Sequence, residues 1–137
     1  MHVGRDYFEI EAELKKRIEG DIRFDKYSRL LYSTDASIYQ IEPVGIVVPR
    51  HKGDVQAVIE IANRLGVSVL PRGGGTSLAG QTVGHSIVLD FSKYMHNVLA
   101  VNQEELWCRV QPGLVQDELN AYVRAMGVQF GPDPSTA

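Results

Sequence analysis

Apolar residues recur at helical spacing near the start of the chain. Ile10, Leu14 and Ile18 stand four apart with charges between them, which predicts an amphipathic helix over residues 7–19, stopped by Gly20. A short helical turn is predicted over Lys26 to Leu31, and Thr34-Asp35-Ala36-Ser37 up to Pro43 reads as an irregular approach. The pattern then changes period. Gly45-Ile46-Val47-Val48-Pro49 is a β-branched run too brief for a helix, and it predicts a buried strand. Asp54 is placed to cap a helix from Val55 to Leu65, with Val55, Val58, Ile59, Ala62 and Leu65 on one face and Gly66 at its end. Val67 to Pro71 is the next strand, so strand, helix and strand predict a βαβ unit with a parallel pair and a right-handed crossover.

Ile87-Val88-Leu89-Asp90 predicts a third strand, and Val98–Val101 with Leu106–Val110 predicts an antiparallel hairpin across the polar turn 102–105. Val115, Leu119, Tyr122, Val123 and Met126 then predict an amphipathic helix ended by Gly127. Residues 128–137 read as a strand entering a loop, and more chain is expected after them. The class is α+β: a helical lead-in over 1–44, then one domain over 45–137 with an N-terminal βαβ subdomain, a mixed sheet and flanking helices.

With 137 residues, 44% of them hydrophobic, the chain is long enough for a single core. A net charge of -3 with dispersed basic residues argues against a nucleic-acid partner. No apolar signal core or membrane-span-length window occurs, which points to the cytoplasm. The single cysteine, Cys108, excludes an internal disulfide and any thiolate cluster. The four histidines lack i, i+4 spacing, so no metal site is expected.

The chemistry concentrates in Pro71-Arg72-Gly73-Gly74-Gly75-Thr76-Ser77-Leu78-Ala79-Gly80-Gln81-Thr82. Three adjacent glycines after a strand leave backbone N–H groups to face an anion, and Thr76, Ser77 and Thr82 add hydroxyl donors. The run nearly matches a P-loop, but Gln81 stands in place of the phosphate-reaching lysine, and Val83-Gly84-His85-Ser86 breaks the helix a P-loop needs behind it. A nicotinamide dinucleotide fingerprint fails too, because Leu78 occupies the third glycine position. What remains suits a diphosphate that is retained and never cleaved.

These residues, with Val47-Val48-Pro49 before them, resemble the FAD-binding domain of the vanillyl-alcohol oxidase / p-cresol methylhydroxylase (PCMH) flavoprotein superfamily. Thr34-Asp35-Ala36-Ser37-Ile38-Tyr39 and Gly131-Pro132-Asp133-Pro134-Ser135 are similar to motifs of its D-2-hydroxy-acid dehydrogenase branch, which includes D-lactate, glycolate and D-2-hydroxyglutarate dehydrogenases. The resemblance implies a PCMH-like FAD-binding fold. It implies that Arg72, Gly73, Gly74, Gly75, Thr76, Ser77, Gln81 and Thr82 surround the FAD pyrophosphate and nearby sugar or ribityl groups. Pro49 would line the flavin cleft, and Pro132, Asp133 and Ser135 would form a second contacting segment. Some members bond the flavin to a histidine in this loop; Thr76 lies there instead, so non-covalent FAD is implied.

The implied reaction is hydride removal from a small 2-hydroxy acid to the flavin, followed by electron transfer to an acceptor. No catalytic acid–base pair is evident in the chain, and the resemblance puts those groups in sequence after Ala137, so the chain alone is expected to be inactive. Two other readings stay open: a degenerate P-loop-like nucleotide-binding module, and a non-catalytic interaction domain with a vestigial cofactor loop.

Overall fold

A computed structural model describes residues 7–134. The first helix, α1 (Tyr7–Lys15), buries Ile10 and Leu14. It is shorter than its apolar spacing predicts, because Arg17 and Ile18 N–H groups both turn back to the Leu14 carbonyl and close the last turn. Gly20 is not the stop. It lies against the strand β2 (Gly45–Val48), where a Cβ would collide with the Val48 carbonyl, and so allows a strand the sequence does not signal, β1 (Asp21–Arg23). Three residues with two charges carry no strand pattern; β1 forms because the edge of β2 accepts it.

Helix α2 (Lys26–Leu31) is capped by Asp25, whose carboxylate accepts from Ser28 N–H. Strands β2 (Gly45–Val48) and β4 (Ile87–Asp90) are buried at every position, as central parallel strands with both faces covered must be. Between β2 and β3 (Val69–Arg72) runs α3 (Lys52–Leu65), which ends at left-handed Gly66. The sheet order is β1-β2-β4-β3, with β4 parallel to both neighbours and β1 antiparallel to β2. The βαβ connection therefore exists, but β2 and β3 do not pair directly. The later strand β4 inserts between them, an outcome that local spacing does not encode.

Helix α3 begins three residues before the predicted start. Its N-cap is His51, whose ring accepts from Asp54 N–H, and Asp54 is not the cap. The fully buried Asp54 carboxylate accepts instead from the backbone of Glu19 (3.0 Å) and Arg50 (2.9 Å), tying the α1–β1 connection to the end of β2. The buried face of α3 is Asp54, Ala57, Val58, Ile61 and Ala62. Ile59, predicted inward, is half exposed, because the stripe that α3 turns to the core runs through Ala57, Val58, Ile61 and Ala62.

One face of the sheet packs on α1 and α3 through Ile10, Leu14, Val47, Val58, Ile61, Ile87 and Leu89. The other face is thinner: Ile46, Val48 and Val88 are covered by Tyr32, Leu70 and Tyr94. Helix α1 and Phe24, inside the stretch read as a lead-in, thus belong to the same core as the rest.

A separate hairpin joins β5 (Val98–Asn102) to β6 (Trp107–Val110) in antiparallel register with a bulge near Ala100. Helix α4 (Gln116–Val123) follows and runs into a 3-10 turn, Arg124–Met126, ended by left-handed Gly127. Leu119 and Val123 are buried, whereas Val115 and Tyr122 are exposed. Residues 128–134 form no strand, contrary to expectation. Their backbone bonds to α4 side chains instead, Phe130 N–H to Asn120 and the Pro132 carbonyl to Gln116.

Candidate functional site

The glycine run leaves the carboxyl end of β3, at the sheet edge where open α/β sheets gather ligands. No helix follows it: the segment from Gly73 to Ser86 runs directly into β4. A P-loop depends on a helix N-terminus behind the loop, so this geometry is not that of an NTPase.

The N–H groups of Gly73, Gly74, Gly75, Thr76, Ser77 and Leu78 donate to no acceptor among the described residues. A Cβ added at Gly73 would meet nothing within 4 Å, and one at Gly74 only the Thr76 methyl. A row of unpaired backbone donors, with open space at Gly73 and Gly74, is the donor set that a diphosphate needs. The site fits such a group.

The side chains expected around that group divide into two sets. Arg72 is folded into the framework: its guanidinium donates to the carbonyls of Thr82 (3.2 Å) and Tyr32 (3.5 Å), and lies 5.2 Å from the Tyr32 ring centre. It also fills the space where Gly75 would carry a side chain. Thr82 is committed as well, since both its N–H (3.3 Å) and its hydroxyl (3.0 Å) donate to Asp35. Ser77 works inside the loop, accepting from Ala79 and Gln81 N–H groups and donating to the Gln81 side chain. The Thr76 hydroxyl is exposed and makes no hydrogen bond among the described residues, and neither does the Gln81 amide nitrogen.

Pro49 is fully buried at the end of β2, one strand away from Arg72 across β4. Pro132 and Asp133 are exposed on the segment held by α4, and no hydrogen bond among the described residues joins them to the glycine loop. Ser135 lies outside the described residues.

Beneath the loop, Tyr32 donates a short hydrogen bond to buried Asp90, the β4 residue paired with Arg72. Burial, reinforced by the Asp90 hydrogen bond, pushes the Tyr32 phenol up to about 12. Asp35 accepts from Ser37 N–H (2.9 Å) besides Thr82, and these bonds, those from Ser37 foremost, hold its carboxyl down to about 2. Sequence reading gave Asp35 and Tyr32 no role at the loop. Asp35 two residues before Ser37 does signal a local side-chain turn, but the bond to Thr82 spans 47 residues and has no local signature. No group of three or more metal-ligating side chains occurs among the described residues.

Comparison with known proteins gives a consistent picture. The protein family described as FAD binding domain matches residues 43–137. A D-2-hydroxyglutarate dehydrogenase of Pantoea ananatis is 40% identical over 121 residues, covering 86% of this chain but 12% of that protein. The glycolate oxidase subunit GlcD of Bacillus subtilis is 34% identical over 125 residues, covering 88% of this chain and 26% of that one. A solved alkyldihydroxyacetonephosphate synthase superposes with a TM-score of 0.82 at 25% identity, over 99% of this chain and 28% of its own. The chain thus spans about an eighth of the dehydrogenase length it matches.

Proposed function

Because the chain belongs to the FAD binding domain family, we propose that it holds the diphosphate of FAD in a dehydrogenase oxidising a small D-2-hydroxy acid of the lactate, glycolate or 2-hydroxyglutarate class. The observation that carries the reading is the row of unpaired N–H groups from Gly73 to Leu78, with open space at Gly73 and Gly74. When bound, FAD supplies a hydride acceptor that no protein side chain offers. The N–H groups of Gly73 to Leu78 hold the diphosphate, with the Thr76 hydroxyl and Gln81 amide as added donors. Arg72, Ser77 and Thr82 shape the loop. Pro132 and Asp133 form the second contacting segment, and Pro49 backs the cleft. With Thr76 in the loop, FAD is held without a covalent bond.

Asp35 is no candidate base. A carboxylate held near 2 has little tendency to take a hydroxyl proton at neutral pH. On this reading the 137-residue chain binds flavin in the cytoplasm without turning over substrate by itself.

Calorimetric titration of the chain with FAD, ADP, riboflavin and Mg-ATP tests this reading. FAD and ADP are expected to bind without magnesium, and riboflavin, which has no diphosphate, is expected to bind far more weakly. Magnesium-dependent preference for ATP would overturn the reading in favour of a nucleotide module. Binding of none of the four would mark the loop as vestigial.

A further inference from the structure

The segment just before β2 is built as a brace. Thr34 bridges Gln40, Ile41 N–H donates to the Ser33 carbonyl (2.8 Å), and the Gln40 amide donates to the buried Ser33 hydroxyl. Ser37 N–H closes onto Asp35, and Tyr39 N–H onto the Ser37 hydroxyl. From this closed turn two adjacent residues reach the glycine loop at different points. Ala36 N–H donates to the Gly75 carbonyl (3.1 Å), and the Asp35 carboxylate receives both donors of Thr82. Tyr39 adds a third point of contact, its ring lying where a Gly80 side chain would be.

A local turn at Asp35 needs only the bond to Ser37. The second carboxylate oxygen is spent on Thr82, and it puts a negative charge beside a loop read as an anion site. That placement is unfavourable for the anion unless the carboxylate contributes order. Fixing a residue's backbone costs conformational entropy, and a run of glycines is the most expensive to fix. If the fold does not meet that cost, the ligand must do so on binding.

We propose that Asp35 is a positioning residue: with Ala36 on Gly75 and its carboxylate on Thr82, it holds the glycine loop in shape before a diphosphate arrives. The consequence for affinity rests on the proposed flavin site; the ordering of the loop does not. Backbone ¹⁵N relaxation of the unliganded chain and calorimetry with ADP, in Asp35→Ala, Thr82→Val and Thr82→Ser, test it. In the wild type, order parameters at Gly73 to Leu78 are expected near the rigid value of about 0.85, falling below about 0.6 in Asp35→Ala while β2 and β4 stay rigid. ADP affinity is expected to drop about tenfold with Asp35→Ala, less with Thr82→Val, and not with Thr82→Ser, which keeps both bonds. Asp35→Ala combined with Thr82→Val should be no worse than Asp35→Ala alone. An unchanged loop in Asp35→Ala, or equal loosening of β2 and β4, overturns the proposal. If the wild type binds neither ADP nor FAD, the flavin reading fails, and the relaxation pattern still decides whether Asp35 orders the loop.

Discussion

Gly75 sits at φ +71° with the Arg72 guanidinium in the space a side chain would need. An L-residue there adopts a left-handed conformation costing roughly 1–2 kcal/mol, and a methyl would also push Arg72 off the Thr82 carbonyl. Gly75→Ala is therefore expected to lower stability in urea titration by at least that amount. Gly73→Ala separates binding from folding. Its methyl meets no atom within 4 Å, so stability should change by under about 0.5 kcal/mol. The methyl enters the space assigned to the diphosphate, and calorimetry should show FAD affinity falling about tenfold or more. Equal FAD affinity in Gly73→Ala and wild type would show that the diphosphate does not approach this backbone.

At the scale of elements, α3 depends on a polar contact as much as on its apolar stripe. The Asp54 carboxylate is the acceptor for the Glu19 and Arg50 N–H groups, and truncation strands two donors at about 1–3 kcal/mol each. Asp54→Ala is expected to rank among the most destabilising single changes, read as a lowered urea midpoint. The rotated helix gives a second expectation: Ile61→Ala, at a fully buried position, should cost about 2–5 kcal/mol. Ile59→Ala, at a half-exposed one, should cost under about 0.5 kcal/mol. Comparable losses at both positions would contradict the helix face. The existence of α1, α2, α3, β2, β3, β4, the hairpin and α4 was legible, because each has its own periodicity or its own Gly or Pro punctuation. Register was not. The start of α3 was misread because Asp54 resembles a cap in sequence, while the residue that caps is His51 and the acceptors of Asp54 serve chain segments outside the helix.

The pH response belongs to the whole molecule. Glu13 is held down from 4.5 to about 2 by hydrogen bonds from Lys16 and Arg64, and Asp35 from 3.8 to about 2 by Ser37 and Thr82. Carboxylates depressed by folding stabilise the folded state above their ordinary values, and that contribution disappears as pH falls from about 4.5 towards 2. Tyr32 acts in the opposite direction: raised from 10.0 to about 12, it stabilises fully below pH 10 and loses its contribution between 10 and about 12. Urea midpoints measured across pH should decline in both windows, and Tyr32→Phe should remove the alkaline contribution. Three things followed from sequence alone: the α+β class, the glycine loop at the end of a strand, and the missing lysine that sets this loop apart from a P-loop. All rest on residue type and near-neighbour spacing, such as adjacent glycines, Gln81 in place of lysine, and apolar runs too short for helices. Tertiary structure alone decided that β4 inserts between β2 and β3, that Arg72 and Thr82 face the protein, and that Asp35 reaches the loop from 47 residues away. Those outcomes depend on which distant donors and acceptors the folded chain brings within hydrogen-bonding distance, a property that no window of sequence contains.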